Sequence, residues 1–165
     1  MKIKDLALCA LFAALMCICA WISLPVLGIP ITLQTFAVYL ALFTLGGRRG
    51  TMAFAVYLCL GMVGLPVFSG FQGGFGVLLG VTGGYIWGFL ISCLIYWLGE
   101  KWPVGSAVLG MALCYVCGSA WYWLAYTDRT AGNLWAVILQ CVIPYLLPDA
   151  FKISLARNLS KRLRI

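Results

Sequence analysis

The sequence predicts an all-α polytopic membrane protein: six transmembrane helices in a single domain spanning 1–165, with structured loops on the outer side. Three observations carry this reading. Composition is 64% hydrophobic and only 9% charged, more apolar surface than a soluble chain of 165 residues can bury. Residues 6–47 and 50–99 contain no Asp, Glu, Lys or Arg. The helix breakers Pro25, Gly28, Pro30, Pro66 and Pro103 fall between the apolar runs, where a membrane surface belongs.

The first span covers 5–24 and stops at Pro25. The second, 33–46, is short: at 1.5 Å per residue it reaches about 20 Å, against a core of ~30 Å. Either the segment 27–32 continues it, or that connection dips into the protein. Gly46-Gly-Arg-Arg-Gly50 forms a tight basic turn, and the third span, 51–65, ends at Pro66. Eight glycines then lie between positions 64 and 84. Each disfavours a helix interior by roughly 1 kcal/mol, yet the stretch is too apolar for a solvated linker. A structured loop buried across one end of the bundle satisfies both facts.

The fourth span, 84–99, closes at Glu100-Lys101-Trp102-Pro103, and the fifth, 104–126, ends in an aromatic cluster of Trp121, Tyr122, Trp123 and Tyr126. The last stretch divides in two ways. One continuous span from Asn133 puts Pro144 and Pro148 mid-helix. The other places a short outer helix at 133–146 and starts the final span, 148–164, at Pro148. Proline suits a helix's first position and an acid its first turn, which favours the second division.

Charge placement sets orientation. The chain is formally +7, but its basic residues sit at the ends of apolar runs and form no stripe interleaved with aromatics. This excludes nucleic acid as a partner and names the lipid bilayer instead. With the N-terminus inside, Lys2, Lys4, Arg48, Arg49, Lys101 and the C-terminal basic residues all face the cytoplasm, leaving out Arg129 and Lys152. Both termini are then cytoplasmic. The connections 25–32, 66–82 and 127–147 all meet on the outer face.

Asp149 and Lys152 are the ionisable residues that this topology leaves near membrane depth, where charge is costly and marks candidate function. Three residues apart, they share a helix face. Their spacing fits a plain intrahelical salt bridge. It equally fits a carboxylate acceptor and an ammonium donor aimed at a small polar ligand. Gln34, Thr35, Gln72, Thr82 and Tyr85 supply further polar groups near that face, the few that an apolar pocket needs for orientation.

Catalysis has little to work with. The chain has no histidine, Glu only at position 100, and no phosphate-cradling Gly-Lys-Ser/Thr loop, so neither metal nor cofactor is expected and the chain is not read as an enzyme. Cys114-Tyr-Val-Cys117 has a CxxC spelling, but without a second pair it reads as packing within a helix. On the first span, Ala10 and Ala14 have the small-xxx-small spacing that allows another helix to approach, either within the chain or from a partner.

Several segments in order carry a resemblance: Ala10-Leu-Phe-Ala-Ala-Leu15, Ile29-Pro-Ile-Thr-Leu-Gln-Thr35, Gly46-Gly-Arg-Arg-Gly50, Gly64-Leu-Pro-Val-Phe68, Gly73-Gly74, Thr82-Gly-Gly-Tyr85 and Ile143-Pro-Tyr-Leu-Leu-Pro-Asp149-x-x-Lys152. The set resembles the BioY family, the biotin-specific substrate-binding (S) components of energy-coupling factor (ECF) transporters, from about 5 to 164. The resemblance implies an ECF S-component-like bundle in a bacterial-type cell membrane that captures biotin from outside. It also implies a transmembrane coupling protein and two cytoplasmic ATPase subunits as partners, with Ala10 and Ala14 against the coupling protein.

The same resemblance puts biotin's fused-ring head on Asp149 and Lys152. The ureido ring offers two N–H donors and a carbonyl, which suit a carboxylate and an ammonium. The apolar ring and tail would face the Phe68 and glycine loop, with the first and third outer connections as lid. An S component for another vitamin, a lipid-acting membrane enzyme and a structural or assembly subunit are the alternatives. Vitamin binding, turnover and co-purification with ATPase subunits separate them.

Overall fold

The computed structural model describes residues 3–26, 29–128 and 131–163. Lys2, Arg129 and Arg164, used above for orientation, and the breaker Gly28 lie outside the described residues. Helix α1 is Ile3–Trp21. A hairpin follows, β1 (Ser23–Val26) with β2 (Ile29–Thr32), in antiparallel register with Pro25 opposite Pro30. Next come α2 (Gln34–Leu45) and α3 (Gly47–Met62). A 3-10 turn at Ser69–Phe71 and the short α4 (Phe75–Leu79) lead into α5 (Gly83–Leu98). The chain finishes with α6 (Pro103–Tyr126), α7 (Ala131–Cys141) and α8 (Ile143–Arg162).

Helices α1, α2, α3, α5, α6 and α8 correspond to the six expected spans. Among the described residues, α1, α6 and the apolar stretch Leu134–Arg162 are long and apolar enough to cross a bilayer; α2 and α5 are shorter apolar helices. The shortness of α2 is answered by the hairpin. The segment before it does not extend the helix but folds back as β2, and Leu33 N–H donates to the Ile22 carbonyl at 3.2 Å to close the hairpin base. Ile29, Ile31 and Thr32 are β-branched, which suits a strand, and the two opposed prolines bar helix.

Glycine sets how closely the helices approach. Helix α5 packs most extensively on α6. A Cβ on Gly88 would stand 2.9 Å from the Cα of Cys114, and one on Gly84 would stand 2.3 Å from Trp121 Cβ. Gly88 and Ser92 on α5 face Cys114 and Gly110 on α6, while Gly84 receives Trp121 and Gly118 receives Tyr85, so two small-xxx-small stripes line the seam. Cys114 and Cys117 are unpaired, and Cys114 is fully buried in this seam.

At the end of α2 away from the hairpin, Gly46 turns the chain at φ 83°. Glu100 Oε1 accepts the Gly47 N–H at 3.1 Å, so a carboxylate sits at the N-terminus of α3, where the helix dipole favours it. Arg49 also pairs with Asp5 at 3.2 Å, tying α3 to α1. The basic turn is thus shorter than expected, because α3 already begins at Gly47.

The last helix also departs from expectation. It starts at Ile143, not at Pro148, and the outer helix before it ends at Cys141. Pro144 is the proline that takes the first-turn position, where a missing N–H costs nothing. Pro148 lies inside the helix. There it forfeits the one N–H that would reach the carbonyl of Pro144. Asp149 is consequently not a first-turn residue: it lies about 9 Å along the axis from Ile143.

Candidate functional site

Because α8 begins early, its polar pair is carried down into the bundle. Asp149 and Lys152 are both buried, 5% and 7% exposed. Lys152 Nζ lies 2.9 Å from Asp149 Oδ1 and donates a second bond to the Thr32 carbonyl at 2.8 Å. The other carboxylate oxygen, Oδ2, accepts from Tyr115 Oη at 2.7 Å. The pair is therefore an intrahelical salt bridge, as the spacing allowed, but one braced by α6 on one side and the hairpin on the other. An ammonium has three donors, and among the described residues two are used, leaving one N–H for a ligand.

Lys152 and Asp149 line a cavity of about 70 Å³, into which α2, α5, α6 and α8 and the loops at that end all project. Gln34 and Thr35 reach it from the first turn of α2, and Thr82 and Tyr85 from the start of α5. Phe68 closes it from the glycine-rich loop. Seven of the eight expected ligand-side residues thus converge with Asp149 and Lys152 counted among them.

Gln72 does not. It is exposed and lines a separate outer groove, because Gly70 at φ 70° and Phe71 at φ 57° turn the loop so that residue 72 faces away. The second connection contributes Phe68 and Ser69 to the lining, alongside Ile29 and Pro30 of the first and Cys141 and Tyr145 around the third.

The surrounding polar groups are held by the fold. Gln34 Nε2 donates to Tyr57 Oη at 3.2 Å, and Tyr57 Oη donates to the Val67 carbonyl at 3.3 Å, which anchors the segment leading to Phe68. Tyr85 Oη reaches the Cys141 carbonyl at 3.3 Å. Tyr145 Oη donates to the Ile29 carbonyl, pinning α8 to the hairpin. Trp21 Nε1 donates to the Pro66 carbonyl at 2.7 Å, and its ring stacks on Phe71 at 5.1 Å, so α1 fixes the same loop.

Sequence reasoning missed Tyr115, Tyr145 and the Thr32 carbonyl. Tyr115 had a signal: a phenol within an apolar span needs a buried partner for its hydroxyl. A backbone carbonyl has no such signature, since its role depends on the hairpin.

Ala10 and Ala14 are both exposed, on the outward stripe of α1 with Leu6, Leu11 and Ile18, whereas Ala13 packs inward. Neither Ala10 nor Ala14 lines this cavity.

A helical bundle with membrane-length spans, structured loops at one end and a buried ion pair lining a cavity is a membrane-embedded substrate-binding component. The likeness is quantitative: the fold matches a solved structure of the S-component for biotin from an ECF-type ABC transporter, with a TM-score of 0.84 and 26% identity. The match covers 99% of this chain and 92% of that one. The sequence profile of the BioY family matches residues 1–165, and the chain belongs to that family.

Among curated relatives, a probable biotin transporter BioY of Pyrococcus horikoshii is 41% identical over 165 residues, covering 99% of this chain and 98% of the relative. The biotin transporter BioY of Thermotoga maritima is 35% identical over 167 residues, covering 98% and 96%.

Proposed function

We propose that this chain captures biotin at the outer face of the cell membrane as the substrate-binding subunit of an ECF-type transporter. The observation that carries the reading is the braced Asp149–Lys152 pair inside a cavity of this family's fold. In this reading the ureido N–H groups of biotin donate to Asp149, and the ureido carbonyl accepts the remaining Lys152 N–H. Thr82, Tyr85, Gln34 and Thr35 orient the ring, and Phe68 covers it. Gln72 stands outside this set.

The work of the subunit is binding and delivery. Energy for uphill movement comes from two cytoplasmic ATPase subunits through a transmembrane coupling protein, which docks on the exposed Ala10–Ala14 stripe. Both termini face the cytoplasm, so the cavity opens outward.

The test is isothermal titration of the purified protein with biotin, alongside Asp149→Ala and Lys152→Ala. Each substitution strands a desolvated charge and is expected to weaken binding by about 2–5 kcal/mol. Biotin affinity unchanged in both variants refutes the pocket, and tight binding of another vitamin in place of biotin refutes the substrate.

A further inference from the structure

We infer that the site reads only the ring end of its ligand and leaves the carboxylate ungripped, so that amide conjugates of biotin bind as well. The inference rests on the biotin reading above and concerns where the tail goes.

Charge is the first argument. Among the described residues lining the cavity and the groove outside it, the charged side chains are Asp149 and Lys152. They are already paired at 2.9 Å, so together they present no net positive charge. An anionic carboxylate therefore has no cationic side chain waiting for it. The N-termini of α2, α4 and α5 are the remaining positive elements, and at a solvated site a helix end favours an anion by about fivefold or less.

Shape is the second argument. The inner cavity is small, about 70 Å³, while the outer groove holds about 710 Å³. Pro30, Ser69 and Thr82 line both, so they form a neck between them. A rigid ring seated on the ion pair leaves its aliphatic tail directed through that neck. The outer groove is walled by Ser23, Gln72, Val77, Val81 and glycine backbone, uncharged and mainly apolar, with room beyond a five-carbon chain. A group attached to the carboxyl thus meets open, hydrated space.

The experiment is titration of the purified full chain with biotin, with biotinyl-lysine (carboxylate converted to an amide), and with diaminobiotin, which lacks the ureido carbonyl. Biotinyl-lysine is expected within about tenfold of biotin. Diaminobiotin is expected to lose more than about a hundredfold, because it leaves buried polar groups unmatched. A loss of about a hundredfold or more for biotinyl-lysine beside tight biotin binding overturns the inference, whereas failure of biotin itself overturns the parent reading instead.

A second variant tests the route. Gly76 lines the outer groove, and a Cβ there meets nothing within 4 Å, so Gly76→Trp fills the groove without strain on the bundle. It should weaken biotinyl-lysine and spare biotin. Equal affinity of the variant and the parent chain for biotinyl-lysine would show that the tail does not pass this way.

Discussion

The ring of Phe68 occupies the space that a side chain on Gly61 would take: a Cβ there would lie 2.1 Å from Phe68 Cζ. The absence of one atom on α3 therefore lets the glycine-rich loop seat its aromatic ring as a wall of the cavity. Tyr57 meets the same ring edge-on, with centroids 5.7 Å apart, and the Gly74 N–H bonds the Gly61 carbonyl at 2.8 Å. Gly61→Ala is expected to expel Phe68 and weaken biotin binding by about tenfold, the scale of an overpacked contact. Titration beside a melting curve checks this, since the loss should exceed any change in bundle stability.

Tyr115 braces the carboxylate from α6. Tyr115→Phe keeps the ring and removes the donor to Asp149 Oδ2. A hydrogen bond to a charged group contributes about 1.5–3 kcal/mol, so biotin affinity should fall by that amount in a calorimetric titration. An unchanged dissociation constant would mean that the bond does not orient the carboxylate.

The α5–α6 seam depends on small residues that admit the facing backbone at Gly88 and the facing aromatic side chains at Gly84 and Gly118. Gly88→Val has to move the backbone of Cys114, which a Cβ at 88 would approach to 2.9 Å. The expected cost is roughly 1–3 kcal/mol, seen as a lower melting temperature in detergent. Gly105→Val, where a Cβ would meet only Trp102 Cβ at 3.9 Å, is the control expected to melt near the parent.

The exposed alanines separate binding from delivery. Ala10→Trp and Ala14→Trp add bulk on the outward face of α1, away from the cavity. Biotin binding by the isolated subunit should persist, while uptake in cells and co-purification with the coupling protein should fall. Normal uptake by both variants would remove this face from the docking surface.

Much of the fold was legible because membrane helices announce themselves locally. Apolar run length and the breakers between runs place α1, α2, α3, α5 and α6 within a few residues of their expected limits. The hairpin and α4 were not legible. Four-residue strands and a five-residue helix carry too few side chains to show a period, and their backbone is satisfied by tertiary partners. The start of α8 was misplaced because two prolines, 144 and 148, each satisfy the local rule for a helix beginning. Only packing against the hairpin, through Tyr145, favours the earlier one.

For the site, the sequence by itself determined that Asp149 and Lys152 share a helix face in a mainly apolar stretch, since that needs only helical spacing and a scarcity of other charge. It also determined which family the chain resembles. The tertiary structure decided what the pair touches. Tyr115 lies 34 residues from Asp149 and Thr32 lies 120 from Lys152, separations at which no periodicity operates. It likewise decided that Gln72 faces the outer groove while Phe68, four residues earlier, faces the cavity. The reason is physical: in an apolar bundle, a polar group's partner is whatever donor or acceptor the packing of distant helices brings within hydrogen-bond reach.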